Sequence, residues 1–307
     1  MRIWRVGKAV VAAAPAKINL FLEILARRDD GFHELETVMV AVNLYDTIEL
    51  TATDDGELHL ECRVPPARQA RGLQDGSSRL WADLPSGGEN LAVRALRLLQ
   101  QASSTRQGAS LRLTKRIPLQ AGLGGGSSDA AAALLAANQL WNLHWTRERL
   151  LPLAAELGSD VPFFLTGGAA VCRGRGERVE PIAGVASMPL VIAHPGTGLS
   201  TARVYAACHV PSRPLSARDA IAAVRRGDRC ARARAMANRL SEPARRISEE
   251  IAALGADFRR LLGQGYQMTG SGAAYFGVCR SLRQARRAAR WLRGRGWPFA
   301  VAATTVA

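Results

Sequence analysis

The sequence predicts an α+β or mixed α/β protein of two domains joined near residues 175–190. Short segments of alternating polar and apolar residues are interleaved with helical stripes along the whole chain. The length, 307 residues, suits two modest domains or one large one, and a hydrophobic share of 48% is enough for a sizeable core. No apolar run approaches the ~20 residues a membrane span needs. The basic start (Arg2, Arg5, Lys8) is followed by too short an apolar run for a secretory leader, so a soluble cytoplasmic protein is expected.

Taken in order, residues 16–25 (AKINLFLEIL) alternate, with Ile18, Leu20, Leu22 and Ile24 on one face and Lys17, Asn19 and Glu23 on the other. This is a strand whose polar face is available to a site. A turn at Arg28–Gly31 follows, then a strand at 47–52 with a hairpin partner at 58–62. Residues 63–88 lack periodicity and read as a long loop. A helix fits 89–102, with Leu91, Ala95, Leu98, Leu99 and Ala102 on one stripe. A strand at 110–117 runs into Pro118, and an alanine-rich helix fits 130–141. Thr146 caps a helix ending at Gly158, Gly167-Gly168 is a turn, and 189–193 is a short strand. Arginine- and alanine-rich helices follow, one of them over 282–293, and a glycine turn at 270–272 precedes a strand at 275–278.

The segment IPLQAGLGGGSSDAAAA (117–133) carries the strongest chemical signal. Gly122, Gly124, Gly125 and Gly126 stand directly before a helix. Glycines let the backbone approach phosphate oxygens, and a helix N-terminus offers free N–H groups and partial positive charge. Ser127 and Ser128 either cap the helix or bind phosphate through their hydroxyls. Asp129 suits the first helical turn as a dipole partner, with a magnesium-ligand role second. The pattern GxxxxGK[ST] is absent, and Ser127 replaces the third glycine of the dinucleotide fingerprint.

The five cysteines form no CxxC pair, which argues against a disulfide framework or zinc site. The net charge of +15 is concentrated late: from Arg203 onward there are 20 basic and 6 acidic residues. That block has no ladder of interleaved aromatics, so it reads as a solvated face with some attraction for phosphorylated ligands, and no nucleic-acid or membrane partner is expected. Only three lysines occur, Lys8, Lys17 and Lys115, and two of them fall inside motifs.

PAKINLFLEI (15–24), PLQAGLGGGSSDAA (118–131) and MTGSGAAYFG (268–277) resemble, in order, the three signature segments of the GHMP kinases, small-molecule kinases with a phosphate loop of this kind. RRDDGFHELETVMVAVNLYDTIEL (27–50), ENLAVRA (89–95), LGSDVPFFLTGGAAVCRGRGE (157–177) and AHPGTGLST (193–201) resemble the branch whose substrate is a cytidyl diphosphate made for isoprenoid precursors. Together they span nearly the whole chain.

The resemblance implies an N-terminal ATP-binding and catalytic domain over 1–180 and a ferredoxin-like substrate domain over 181–307. It implies ATP and Mg²⁺ as cofactors and transfer of the γ-phosphoryl group to a substrate hydroxyl. Asp160 matches the aspartate that orients or deprotonates that hydroxyl, and Lys17 its lysine partner. On the nucleotide side, Asn90 matches an adenine contact, Lys115 a lysine beside the nucleotide, and Gly122, Leu123, Gly124, Gly125, Gly126, Ser127 and Ser128 the phosphate loop, with Ser128 a magnesium or phosphate ligand. On the substrate side stand Asn19, His33 as hydrogen-bond partner of cytosine, Thr201, and the turn glycines Gly270 and Gly272. Phe32 replaces the family's tyrosine, and cytosine is expected between Phe32 and Tyr205. A second departure is Gln120-Ala121, where the family has glycines. Read alone, Asp160 is a helix N-cap, Lys17 an exposed strand lysine, His33 a surface residue, and Phe32 and Tyr205 core or rim aromatics. Oligomeric state is not legible.

Overall fold

In the computed structural model, residues 1–65, 80, 81, 84, 85, 87–226 and 229–306 are described. Most of the loop expected at 63–88 lies outside them.

The chain opens with β1 (Arg2–Val6), β2 (Ala9–Arg27), β3 (His33–Thr53) and β4 (Leu58–Arg63). After α1 (Leu91–Ser103) comes β5 (Gly108–Thr114), then the helices α2 (Gly125–Leu140), α3 (Arg147–Leu157) and α4 (Val161–Thr166), and the strands β6 (Ala169–Gly174) and β7 (Arg178–Pro181). The second half contains β8 (Pro189–His194), α5 (Thr201–Ala206), α6 (Arg218–Arg226), α7 (Arg229–Ala235), β9 (Ala237–Asn238), α8 (Ser241–Ile247) and α9 (Glu249–Leu262). It closes with β10 (Tyr266–Met268), β11 (Tyr275–Val278), α10 (Leu282–Gly294) and β12 (Phe299–Thr304).

The first sheet runs β1-β2-β3-β5-β4, with β6 pairing to β3, β7 to β6 and β9 to β2. The expected hairpin between 47–52 and 58–62 does not form. β5 takes the place beside β3, and β4 runs parallel to β5 at the edge. The reason is burial: Ala109, Leu111 and Leu113 of β5 are fully buried, whereas β4 alternates half-buried and exposed as an edge strand can. β2 is buried on both faces, so Lys17, Asn19 and Glu23 lie beneath other structure, not on a solvated face.

α2 begins five residues before the expected helix start at 130. Gly124, in the left-handed region at φ 69°, serves as N-cap, and the Ser128 N–H donates to the Gly124 carbonyl at 2.9 Å. The two serines are therefore first-turn residues rather than caps. Thr146 caps α3 as expected, accepting from the Arg149 N–H at 3.4 Å.

The second sheet has the order β10-β11-β8-β12, all antiparallel. With α9 and α10 packed on it through Leu254, Phe258, Ala288 and Leu292, it forms the strand-helix-strand-strand-helix-strand pattern of a ferredoxin-like unit. The two sheets share a core in which Ile18, Leu20, Val38 and Val40 meet Leu190, Ile192 and Phe276. β9 lies parallel to β2, and Thr305 bridges to Val42. The glycine turn before β11 is thereby carried onto the polar residues of β2.

Candidate active site

A cavity of about 840 Å³ opens where β2, the start of α2, α4, α5 and the turn before β11 converge. Lys17, Asn19, Phe32, His33, Gly122, Gly124, Ser127, Asp160, Thr201, Tyr205, Gly270 and Gly272 all line it. Residues more than 250 positions apart in the chain thus share one wall.

At the centre, Lys17 Nζ donates to Asn19 Oδ1 at 2.7 Å and sits 3.4 Å from Asp160 Oδ2. The Lys17 side chain is 4% exposed and that of Asp160 33%, so of the two cavity-lining groups the aspartate is the more open to a ligand. Asp160 occupies the N-cap position of α4 but makes no side-chain cap bond. The carboxylate thus caps no backbone N–H and stands beside Lys17 at the cavity, available to a ligand. Asn19 Nδ2 donates to Thr37 Oγ1 at 2.8 Å, and Thr37 Oγ1 donates to the Phe21 carbonyl at 2.6 Å. This chain holds the Asn19 amide with its oxygen toward Lys17. The Lys17 backbone N–H donates to the Leu123 carbonyl at 2.9 Å, which ties β2 to the phosphate loop.

The loop and the glycine turn meet so closely that side chains cannot fit. A Cβ on Gly122 would lie 2.0 Å from the Thr269 carbonyl oxygen, and one on Gly124 would lie 2.8 Å from the Phe164 ring. Thr269 Oγ1 accepts from the Asn19 N–H at 3.1 Å and lies 3.1 Å from the Gly122 carbonyl, joining strand, loop and turn. Asn238 of β9 donates to the Met268 and Gly270 carbonyls, both at 2.8 Å, holding the turn from outside. Around Gly126 a Cβ would meet nothing within 4 Å, so the loop is open there.

At the other end of the cavity, His33 and Tyr205 face each other with ring centroids 5.2 Å apart. Phe32 is 50% exposed and carries the Arg175 guanidinium 4.8 Å above its ring. The two rings expected to flank cytosine both lie on the wall, each already against another side chain. Burial, then Arg27, pushes the His33 imidazole below its ordinary value, so its neutral form dominates at pH 7. Burial, then the negative charge of Asp160, pushes the Tyr205 phenol up. Thr201 Oγ1 lies 2.9 Å from Ser271 Oγ, linking α5 to the glycine turn.

Several expected residues lie elsewhere. Asn90 is the N-cap of α1: its Oδ1 accepts from the Ala92 N–H at 3.0 Å, and its Nδ2 donates to the Pro85 carbonyl at 2.9 Å. Lys115 is 1% exposed beneath the loop, ion-paired with Asp46 and Asp129, so Asp129 acts as its partner. Ser128 Oγ is buried without a hydrogen-bond partner among the described residues. The Gln120 side chain turns against Gly198, where an added Cβ would lie 2.4 Å from its Oε1, and Gln120 also lines the cavity. Sequence reasoning missed Thr37, Thr269 and Arg175. Thr269 stands inside the third motif, and Arg175 three residues after Cys172 in another, but nothing in the sequence aims them at the site.

Comparison with known proteins follows the same lines. The family described as GHMP kinases N terminal domain matches residues 90–168. A 4-diphosphocytidyl-2-C-methyl-D-erythritol kinase of Pelotomaculum thermopropionicum is 40% identical over 287 residues, covering 92% of this chain and 94% of the relative. One from Shouchella clausii is 36% identical over 282 residues, covering 92% and 89%. The crystal structure of a 4-(cytidine 5'-diphospho)-2C-methyl-D-erythritol kinase superposes with a TM-score of 0.79 at 37% identity, covering 97% of this chain and 99% of that one.

Proposed function

The chain belongs to the family of 4-diphosphocytidyl-2-C-methyl-D-erythritol kinases within the GHMP kinases, and from that premise we propose how its residues carry out the transfer. The reaction moves the γ-phosphoryl group of ATP to the 2-hydroxyl of 4-diphosphocytidyl-2-C-methyl-D-erythritol. The observation that carries this reading is one cavity with an open phosphate loop at one end, paired aromatic and imidazole groups at the other, and the Asp160 carboxylate between them.

Phosphoryl transfer demands positioning and charge neutralisation more than covalent chemistry. The N–H groups of the first turn of α2 have no side-chain cap and face the loop, which suits them to the β- and γ-phosphates. Lys17 neutralises charge near the transferred group and fixes Asp160, and Asp160 accepts the hydrogen bond of the attacking hydroxyl. At the far end the neutral His33 hydrogen-bonds cytosine, with Phe32 and Tyr205 against its faces. Arg27 and Arg175 on the wall balance the substrate diphosphate.

A magnesium ion fits this donor set. Among the described residues no cluster of three His, Cys, Asp or Glu side chains could cage a metal, and Mg²⁺ at kinase sites takes most of its oxygens from phosphates and water. Ser128 Oγ does not line the cavity, but it is buried in the first turn of α2 without a partner among the described residues and would be the one protein oxygen to hold the ion. When bound, the ion would neutralise negative charge on the nucleotide phosphates.

ADP release is the direct test, with Mg-ATP and the cytidyl alcohol in one reaction and homoserine and mevalonate in parallel. Turnover on the cytidyl substrate alone is expected. Turnover on another alcohol would keep the kinase and discard the cytosine pocket.

A further inference from the structure

Beneath the phosphate loop, three charged side chains are sealed from solvent: Asp46 is 0%, Lys115 1% and Asp129 3% exposed. None of them lines the cavity. Lys115 Nζ lies 2.5 Å from Asp46 Oδ2 and 2.6 Å from Asp129 Oδ2, so one ammonium joins the two carboxylates. Burial opposes the charge of Lys115, but Asp129 and Asp46 overcome that and hold its proton more tightly than usual. Asp46 Oδ1 meanwhile accepts from the backbone N–H groups of Arg116 and Ile117, the latter at 2.9 Å. Every oxygen of Asp46 is thus committed to the stretch that leads into the glycine loop, or to the lysine within it.

Buried ion clusters are weak grounds for stability, because desolvation offsets most of their attraction. A purely stabilising role therefore explains little here, and the geometry suggests what the cluster is for. Asp46 closes the start of the β3–β5 pairing, Lys115 directly follows β5, and Asp129 stands in the second turn of α2. Gly125 roofs the cluster: a Cβ there would lie 3.3 Å from Lys115 Nζ and 3.0 Å from Ile117 Cγ2. Asp129 Oδ1 is buried with no hydrogen-bond partner among the described residues, so Lys115 is its one ion-pair tie there.

We propose that Asp46 is a positioning residue for the nucleotide phosphates, setting both ends of the glycine loop at once: the entry through the N–H groups of Arg116 and Ile117, and the exit through Lys115 and Asp129 on α2. The loop binds phosphate with backbone N–H groups, whose value depends on placement to a few tenths of an ångström. A side chain that touches no ligand can therefore govern nucleotide affinity. This rests on the nucleotide half of the proposed function and not on the identity of the alcohol.

The test is calorimetric titration of Mg-ADP, and separately of the cytidyl substrate, into the wild type, Asp46→Asn and Asp129→Asn. Asp46→Asn keeps an acceptor for the two N–H groups and removes one of the two negative charges that hold Lys115. ADP affinity is expected to fall about tenfold in each variant, the loss of one well-placed phosphate contact, with the cytidyl affinity within about twofold of wild type. A folded Asp46→Asn protein with wild-type ADP affinity overturns the proposal, as does an equal loss of both affinities. Should that variant not fold, wild-type ADP affinity in folded Asp129→Asn overturns it equally. If the wild type binds ADP but not the cytidyl compound, the substrate assignment fails while the loss of ADP affinity still tests the role of Asp46.

Discussion

His33 and Lys17 show how far a single residue can be read before its surroundings are known. In the sequence, His33 is one histidine in a turn and Lys17 one lysine on an alternating strand. Only their place in ordered motifs lifts them above ordinary surface residues. The structure adds what gives them chemistry: Asn19 and Asp160 around Lys17, and Tyr205 against His33. Thr37 and Thr269, which orient Asn19, carry no signal: a threonine is usual on a strand such as β3, and Thr269 is one more small polar residue at the glycine turn after β10. Since the His33 imidazole is held below its ordinary value near 6.5, the KM for the cytidyl substrate should stay flat from pH 8 to pH 6.5 and rise only in more acidic solution. His33→Phe should remove that rise along with most of the affinity. A wild-type KM that climbs already between pH 8 and pH 7 would contradict the assignment of a neutral, cytosine-bonding imidazole.

At the scale of elements, the glycine loop was legible because four glycines before a helix have few uses other than close backbone approach. Its second purpose was not legible. Gly122 is packed against Thr269, so the loop must fit the turn before β11 as well as phosphate. Gly122→Ala should therefore lower ADP affinity by roughly tenfold or more, through the clash with the Thr269 carbonyl and the φ of 70° that alanine resists. Gly126→Ala, with open space around its Cβ, should change affinity by less than about threefold. Equal effects at the two positions, read by ADP titration, would remove the packing argument. α2 starts before the expected 130 for a related reason: glycine's low helix propensity hides a first turn held by its neighbours. The hairpin at 58–62 failed because periodicity identifies strands but not their order, and β5 competes better for β3 through its buried face.

Over the whole molecule, the mixed strand-and-helix class followed from the pattern, while the joining of the two sheets did not. The contacts that bring β8, β9 and the turn before β11 onto β2 are long-range, and no local signal encodes them. His194, at the end of β8, pairs with Phe299 of β12 in the second sheet. It is 1% exposed, and its Nδ1 accepts from the Gly196 N–H at 3.0 Å. Burial pushes its pKa down to about 4. The unfolded chain thus takes up a proton first as pH falls. The stability this histidine contributes is complete above about 6.5 and lost progressively toward pH 4. Urea unfolding at pH 7 and pH 5 should show the wild type losing about 2 kcal/mol more than His194→Gln over that interval. An identical loss in both proteins would mean the imidazole titrates freely in the fold.

In the proposed transfer Asp160, held beside Lys17 in the cavity that the phosphate loop shares with His33 and Tyr205, orients the attacking hydroxyl. Its most direct test is turnover and Mg-ADP affinity measured on the same preparation of Asp160→Asn. kcat is expected to fall by about 10²–10⁴-fold, the scale of a lost acid–base group, with ADP affinity within about threefold of wild type. Near-wild-type turnover in the folded variant would contradict it.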